Sequence, residues 1–372
     1  MLTGELGVRL FLMLGKSVVL PAPAPIAAAL AQVEVTCDER EADTFQLTFT
    51  MAKDGPEYGV LKSGLLDAFN RVAIGVFIGA CPQVLINGVI THTQLTPGDG
   101  PGRATITVTG DDLSTLMDAV ETNRRFPNLP DSGTVGEVLK AHAGDGIVAP
   151  HVIAPTTQVR SDAYYIQWQY QTDLAFVRGL AEGNGFVFYL EPMLPGFSRA
   201  YWGPSVRTGI PQPALTVDMG AATTVRSLRF VDDARAPIDV DGRVLLPVGK
   251  TSLPIPKLPP ARPPLSAAPA PARRRVLLRG TAKHHPADAA ARAVADITDA
   301  EDPVIGTGEL DTVRYGHVLQ PRRLVGVRGA GLAYDGLYHV RQVTHVLSRG
   351  SYTQRFSIAR DGRGSLVGVV RP

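Results

Sequence analysis

Short segments in which apolar and polar residues alternate fill the first hundred residues, and turn residues separate them. The clearest segments span residues 33–36, 45–49, 84–90 and 104–108. Strict alternation is typical of a strand with one buried face. Short strands at this spacing, without a long helix between them, favour a closed or sandwich-like antiparallel unit. We therefore predict a first tube-like β-barrel over residues 1–110, with turns at 54–56 and 97–102.

A helical period begins after Gly110. Asp111 or Asp112 is placed to cap a helix. The apolar residues that recur behind this cap at intervals of three and four are Leu113, Leu116, Met117 and Val120. Thr134 and Glu137 have the spacing of a capping box in front of a further helix.

Residues 164–189 predict a strand, a helix and a second strand. Thr172 is placed to cap the helix, while Gly183 and Gly185 end it where a positive φ costs little. The apolar residues of one helix face are Leu174, Val177 and Leu180. Aromatic and branched residues predict a strand over 186–190. We predict that residues 111–222 form a helical and small α/β domain.

Residues 223–372 predict strands interrupted by a proline-rich segment. The strands are expected at 223–231, 243–246, 306–315, 323–328, 337–345 and 352–359. Because proline has no amide donor, we expect a loop or extended linker over the proline-rich residues 248–272, and Pro286 then begins a helix that reaches Ile297. The predicted fold is mainly β with an α+β insertion: two tube-like β-barrel domains, the second over 223–372, joined by a small α/β domain.

The charge balance gives no sign of a nucleic-acid partner. The 37 lysines and arginines nearly cancel the 35 acidic residues and leave a formal charge of +2. The arginines at 273–275 fit a solvated linker end better than an RNA or DNA patch. Cys37 and Cys81 are too few for a disulfide framework and too far apart for a metal knuckle.

No apolar run approaches the roughly 20 residues of a membrane-spanning helix. The apolar run at 10–14 is too short for a signal peptide. We therefore expect synthesis in the cytoplasm without a signal peptide, and no membrane insertion by this chain.

The motifs for phosphate binding and hydrolysis are incomplete. The Gly-Lys-Ser and Gly-Lys-Thr triplets at 15–17 and 249–251 match the end of a phosphate-binding loop, but Leu10 and Val244 stand where that loop needs glycine. No G-x-S-x-G nucleophile motif occurs. We predict no catalytic residue, no cofactor and no metal.

Histidines and aspartates offer weak metal-site candidates. His339 and His345 lie an even number of residues apart on one predicted strand and could face one side, but spacing reveals no third ligand. Two partly exposed strand residues are the favoured interpretation. The histidines at 284–285 precede a helix and fit a cap region. Asp239 and Asp241 match part of a calcium loop that lacks its later glutamate, which favours an ordinary turn.

An aromatic cluster offers an alternative function. Its members are Tyr164, Tyr165, Trp168 and Tyr170. They suit a sugar-binding platform, with Asp173 or Glu191 as a nearby carboxylate. The favoured interpretation is that alternate members pack in the core while the others meet a neighbouring subunit, where Tyr and Trp are enriched.

Residues 167–189, with Gln-Thr-Asp-Leu-Ala-Phe-Val-Arg followed by Gly-Asn-Gly-Phe-Val-Phe-Tyr, resemble the phage late control D family. This family includes the hub part of VgrG proteins and the central hub of the T-even phage baseplate. Residues 319–331, 334–340, 343–345 and 350–356 resemble its last barrel. Together with the strands at 33–35 and 45–49, the resemblance covers most of the chain.

The resemblance implies a structural protein rather than an enzyme. Two barrels in each subunit of a homotrimer would match a hexameric inner tube on one face and seat a trimeric spike on the other. The implied partners are inner tube proteins, a separate spike protein and other baseplate proteins of a phage tail or contractile injection system. The proline-rich residues 248–272 depart from a minimal barrel, as a peripheral insertion would. The alternative is a glycan-binding or glycan-cleaving tail-associated module.

Overall fold

A computed structural model describes residues 7–51, 61–79, 81–98, 104–154, 167–245, 251–257, 259–260, 262–279, 286–300 and 302–366. The chain is mainly β, with large antiparallel pairings. The strands are β1 Val8–Gly15, β2 Leu20–Pro21, β3 Leu30–Asp38, β4 Thr44–Met51, β5 Arg71–Ile78, β6 Cys81–Thr96, β7 Ala104–Asp112, β8 Glu121–Phe126, β9 Ile147–Val152, β10 Gln167–Thr172, β11 Val187–Leu194, β12 Phe197–Gly203, β13 Gln212–Thr216, β14 Val225–Asp232, β15 Ile238–Asp241, β16 Arg243–Leu245, β17 Ser252–Pro254, β18 Ser266–Pro269, β19 Arg274–Leu277, β20 Val304–Asp311, β21 Leu324–Arg328, β22 Gly336–Ser348, β23 Ser351–Arg360 and β24 Gly362–Ser365.

Over the described residues, helices are fewer than strands. They are α1 Ala24–Ala29, α2 Asp131–Ala141, α3 Asp173–Asn184, α4 Pro286–Asp299 and α5 Thr312–Tyr315. Short 3₁₀ turns lie at Leu61–Ser63, Leu113–Asp118, Ala143–Asp145 and Gly220–Ala222. Within the described ranges, no helix is both long and apolar enough to cross a membrane.

One continuous sheet joins the two ends of the chain. Over the described residues it has thirteen strands, in the order β14-β20-β23-β22-β3-β4-β7-β6-β5-β1-β2, with β21 beside β22 and β13 beside β21. The junction between the halves is the antiparallel pairing of β22 with β3, from Gln342 opposite Asp38 to Ser348 opposite Gln32. We call this pairing the seam.

Each half of the sheet has its own apolar core. Alternate residues of β4 point inward in the first half, and these are Phe45, Leu47, Phe49 and Met51. Ile26 of α1, a helix that the sequence did not predict, packs into the same core. The second core includes Leu215, Val225, Leu310, Val325, Tyr338, Val343 and Phe356. Burial of each large apolar side chain contributes about 1.5–3 kcal/mol, and Val318, Leu347 and Tyr352 of the second half add to the first core.

A third core belongs to the helices and small sheets between the two halves. It includes Val135, Leu139, Leu174, Val177, Phe188 and Trp202. The predicted helix α3 is confirmed: Thr172 Oγ1 accepts the Ala175 N–H, and the helix ends at Gly185 with a φ of 66°. The strand predicted at 186–190 is confirmed as β11.

Two helix predictions in this region needed correction. Asp112 does cap a helical segment, but this is a 3₁₀ turn that ends at Asp118, which leaves Val120 exposed. The capping box at Thr134 was wrong, because α2 begins at Asp131 and Thr134 lies inside it. The Thr134 hydroxyl instead donates to Gln167 Oε1, so it serves the contact between α2 and β10.

The proline-rich segment is more ordered than a linker. β17 pairs with β16 and β18 pairs with β24, each in a two-stranded sheet, so the expectation of a loop throughout 248–272 was wrong. Proline lacks the donor that a central strand needs, which explains why these strands stay in two-stranded pairs. The helix predicted from Pro286 is confirmed as α4. The strand predicted to reach Tyr315 ends at Asp311, which caps α5.

Candidate functional site

An exposed aromatic pair lies on β10. Trp168 and Tyr170 are 43% and 66% exposed, and their rings stack with centroids 5.6 Å apart and planes 9° from parallel. The positions of β10 that alternate with the two aromatic residues hold Gln167 and Gln169, which are buried. Both described aromatic residues therefore face outward, and glutamines take the core side. Tyr164 and Tyr165 lie outside the described residues.

Asp173, at the start of α3, is held by three side chains. Its carboxylate accepts from Gln169 Nε2 at 2.6 Å, lies 2.9 Å from His142 Nε2 and pairs with Arg124. Burial raises the pKa of the Asp173 carboxyl, but the hydrogen bonds from Gln169, His142 and Arg124 outweigh burial and lower it. Glu191 is paired with Arg199. Neither carboxylate is arranged beside the aromatic rings as a free acid or base.

The other metal candidates are not brought together. His339 and His345 are both buried, so the expectation of partial exposure was wrong. A β-bulge separates them, and His339 Nε2 lies 2.8 Å from Glu39 Oε1 while His345 Nδ1 lies 2.9 Å from Tyr352 Oη. No group of three or more His, Cys, Asp or Glu able to hold a metal occurs in the described part of the chain.

Asp239 and Asp241 lie on β15, so the predicted turn was wrong. Asp239 pairs with Lys257, and Asp241 lies 3.9 Å from Arg275. The Gly-Lys-Ser triplet at 15–17 begins at Gly15, the last residue of β1. The histidines at 284–285 and Gly249-Lys250 of the second triplet fall outside the described residues.

Buried ion pairs cross the junction of the two sheet halves, and sequence reasoning missed them. Arg322, in the second half, pairs with Asp43 of the first, and their side chains are 6% and 2% exposed. The Arg322 guanidinium also donates to the Asp38 and Leu190 carbonyls and lies 4.2 Å from the Tyr189 ring centroid. Arg322 thus contacts the first half, the second half and the small α/β unit.

Burial changes the pKa of the carboxyl in the Arg322–Asp43 pair. Burial raises the pKa of the Asp43 carboxyl to about 7, with Arg322 opposing the rise and Asp112 adding to it. Burial of an unpaired carboxylate is very unfavourable, so Arg322 is what permits a charge here. No local motif marks either residue, because they are 279 positions apart in the sequence.

A second buried group surrounds Glu39 and His339. Glu39 follows β3, His339 lies on β22, and Ser205 Oγ donates to the same carboxylate. Burial raises the pKa of Glu39, but His339, Ser205 and Arg207 lower it to about 2. Glu39 therefore stays charged between the sheet halves at neutral pH.

Arg207 extends this group of charges toward Arg262 of the proline-rich segment. Its Nη2 lies 2.6 Å from Asp302 Oδ2, and Arg262 Nη2 lies 3.1 Å from Asp302 Oδ1. Arg207 and Asp302 are each 3% exposed along the side chain. Burial raises the pKa of Asp302, but the two guanidinium groups lower it. We call this set of charges, from Glu39 and Asp43 to Asp302, the ionic junction.

The fold is similar to that of solved bacterial and phage-derived tail proteins. A tail protein from Neisseria meningitidis MC58 has a TM-score of 0.64 and 14% identity over 96% of this chain and 98% of its own. The 43 kDa tail protein of prophage MuSo2 from Shewanella oneidensis has a TM-score of 0.62 and 12% identity over 95% and 98%.

A third similar structure comes from a type VI secretion system. This Escherichia coli component, which exhibits structural similarity to the T4 tail proteins gp27 and gp5, has a TM-score of 0.55 and 14% identity over 92% of this chain and 77% of its own. No family model matches the chain. No curated protein matches its sequence. The resemblance predicted from the sequence is thus confirmed at the level of the fold.

Proposed function

We propose that this protein is a structural, non-enzymatic baseplate hub of a phage tail or contractile injection system. In this proposal each chain supplies two tube-like barrels, roughly 1–110 and 223–372, joined by the α/β unit of 111–222. Three chains form a ring whose six barrels adapt a hexameric inner tube to a trimeric spike. The likeness to tail proteins and to a type VI secretion component supports this role.

The observation that carries the proposal is the pairing of two sheet halves whose cores are largely separate. The residues of the first core come mainly from positions 8–108, and those of the second from 215–358. The seam makes one sheet of the two halves. If both halves are barrels of one kind, a threefold ring of such chains presents sixfold geometry.

A hub must also transmit force without letting its two halves slide. The ionic junction lies at the seam, and its charges are buried, so screening by salt is weak there. A change of register would leave the Arg322 and Asp43 charges unpaired in the interior, which is strongly unfavourable. The junction therefore favours a single relative position of the two halves.

Mass and binding measurements test this proposal. We expect native mass spectrometry to give a complex of three chains of 39.6 kDa each, alone or together with the inner tube protein of the same particle. We also expect the complex to bind that tube protein and a separate spike protein. A chain that stays monomeric at every concentration and binds neither protein would contradict the proposal.

The exposed Trp168–Tyr170 pair supports one alternative, a glycan-binding tail module. A glycan array probed with the intact protein separates the two functions. Binding that Trp168→Ala abolishes, while the three-chain mass is retained, would add glycan recognition to the hub. Absence of binding would leave the pair as a contact surface for a protein neighbour, where Trp and Tyr are enriched.

A further inference from the structure

Two segments of the large sheet have a neighbouring strand on one side only, over the described residues. β6 pairs with β5 as far as Val89, and its last residues, 91–96, pair with β7 alone. β14, residues 225–232, pairs with β20 alone. No further backbone hydrogen bond among the described residues involves either segment. We call residues 91–96 the β6 edge and residues 225–232 the β14 edge.

The β6 edge lacks the usual protection of a free sheet edge. Proline, charged side chains and very short strands are the common forms of that protection. The β6 edge reads Thr-His-Thr-Gln-Leu-Thr, without proline, lysine, arginine or an acidic residue, and His92–Thr96 are exposed. By contrast β2, at the end of the same half, has two residues and includes Pro21. The β6 edge is therefore open to another strand.

The β14 edge carries charged side chains, but its own chain pairs two of them. Arg226 lies 3.2 Å from Glu309 and 2.7 Å from Asp311. Asp232 lies 2.6 Å from Arg363. Because these charges are paired within the chain, they do little to repel a strand that approaches the β14 edge.

Apolar side chains on the core face of both edges remain partly uncovered. On the β6 edge Leu95 lies opposite Ile106, a residue of the first core, yet it is 39% exposed. On the β14 edge Leu228 and Phe230 are half-buried against the second core. Residues on one face of paired strands lie side by side, so a pairing of the two edges would cover Leu95 with Leu228 or Phe230.

The directions of the two edges suit a contact between copies of the chain. From β14 to β6 the sheet has eight strands, and each neighbouring pair is antiparallel. β14 and β6 therefore run in opposite directions. Rotation about the axis of a ring preserves the direction of a strand along that axis. The β14 edge of one chain would thus meet the β6 edge of the next as an antiparallel neighbour.

We propose that the β6 edge of one chain pairs with the β14 edge of a second copy, as antiparallel strands of one sheet. This inference rests on the proposed function, in which three chains form a ring, and it names the surfaces that join them. Because two different edges meet, the contact is head-to-tail, and the third chain closes the ring. Main-chain hydrogen bonds supply affinity, and the alternation of core-face and polar residues fixes the register.

Paired cysteines test the contact in a Cys81→Ser background. Gln94→Cys is combined with Ser227→Cys, Arg229→Cys or Val231→Cys, which lie on the face of the sheet turned away from the cores. The proposed pairing places residue 94 beside one of these three positions, within the Cβ separation of roughly 4 Å that a disulfide spans. We expect oxidation to link two and three chains covalently in at least one combination.

Two controls show that the cross-link depends on the proposed register. Gln94→Cys alone should give no covalent complex, because a head-to-tail contact does not bring residue 94 of two chains together. Gln94→Cys with Leu228→Cys should also give none, since the two side chains lie on opposite faces of the sheet.

A charge on the core face of the β6 edge should weaken the ring. Leu95→Lys would place an ammonium group against Leu228 and Phe230 of the next chain. We expect native mass spectrometry to show the dissociation constant of the three-chain complex rise by about tenfold or more. Leu277→Lys, at a position of β19 that is 63% exposed and outside both edges, should leave it unchanged.

The outcomes separate this inference from the hub function. A three-chain complex in which no Gln94 combination forms a cross-link would overturn the edge pairing and leave the ring in place. So would a folded Leu95→Lys variant with an unchanged dissociation constant. If Leu95→Lys does not fold, the cross-links decide alone. A native chain that forms no three-chain complex, alone or with its tube protein, would overturn both proposals.

Discussion

Arg322 shows how one residue can couple three parts of this molecule. Its backbone has a φ of 63°, a region that a side chain other than glycine adopts at a cost. Such strain persists where the surroundings fix the residue, and here the guanidinium binds Asp43 together with the Asp38 and Leu190 carbonyls. The side-chain contacts therefore hold an unfavourable backbone conformation at the ionic junction.

Arg322→Met should destabilise the fold by about 3–5 kcal/mol, because it leaves the Asp43 carboxylate buried without its partner. The loss should be larger at pH 8 than at pH 6, since Asp43, whose pKa lies at about 7, takes up a proton at the lower pH. Urea denaturation at the two pH values measures this difference.

Arg355→Met is the matched control, because Arg355 pairs with Glu34 of β3 at an exposed site, 2.7 Å away. Its cost should stay below about 1 kcal/mol. Equal costs for the two substitutions would show that burial does not set the strength of the ionic junction.

His345 should make the protein acid-sensitive. Burial lowers the pKa of its imidazole to about 3, whereas in an unfolded chain the value is about 6.5. Between these values the unfolded state binds a proton that the folded state does not. The histidine therefore reduces stability by up to about 1.4 kcal/mol per pH unit as the pH falls from 6.5 toward 3.

Denaturation curves between pH 7 and pH 5 test this effect. As the pH falls from 7 to 5, the free energy of unfolding should decrease more in the native protein than in His345→Gln. His92→Gln, at an exposed position of β6, should give a pH profile parallel to that of the native protein. A His345→Gln profile that also ran parallel would contradict the assignment.

At the scale of elements, the turn between β11 and β12 is held by one buried amide. Asn87 Nδ2 donates to the Leu194 and Phe197 carbonyls at 3.0 and 2.9 Å and to Ser198 Oγ at 3.2 Å. Its Oδ1 accepts the Gly196 N–H at 2.8 Å. The α/β unit is thereby attached to β6 of the first sheet half.

Asn87→Ala should cost about 2–4 kcal/mol, because several buried groups lose their partners at once. Hydrogen exchange should also accelerate at the Gly196 amide, which loses its acceptor. Asn123→Ala, at an exposed position of β8, should leave both quantities unchanged. Unchanged exchange at Gly196 in the Asn87 variant would mean that the turn is fixed by other contacts.

Sequence patterns predicted the elements better than the contacts between them. The Thr172 cap and the Gly185 stop are local signals, so both ends of α3 could be predicted, whereas Gly183, also predicted to end the helix, lies inside it. The prediction of a capping box at Thr134 was wrong because α2 begins at Asp131, and the Thr134 hydroxyl donates to Gln167 Oε1 instead. The seam and the Arg322–Asp43 pair join residues hundreds of positions apart, and a period within one segment carries no information about them.

At the scale of the whole molecule, the seam predicts that the two sheet halves unfold together. β22 has β3 on one side and β23 on the other, and the ionic junction adds buried charges across the same boundary. Opening the seam alone would expose both strand edges and those charges. We therefore expect calorimetry of the isolated protein to show one transition that includes both halves, and two separated transitions would contradict this.

The strength of the seam can be varied at Thr36 and Thr344, which lie directly opposite each other with their hydroxyl oxygens 3.0 Å apart. Like charges at opposed positions destabilise antiparallel strands, whereas opposite charges stabilise them by about 0.2–1 kcal/mol. The double variant Thr36→Lys, Thr344→Lys should therefore have a lower melting midpoint than the double variant Thr36→Lys, Thr344→Glu. If the seam couples the halves, the lysine pair should also broaden the transition or split it. Equal melting midpoints and shapes for the two double variants would mean that the halves are held together elsewhere.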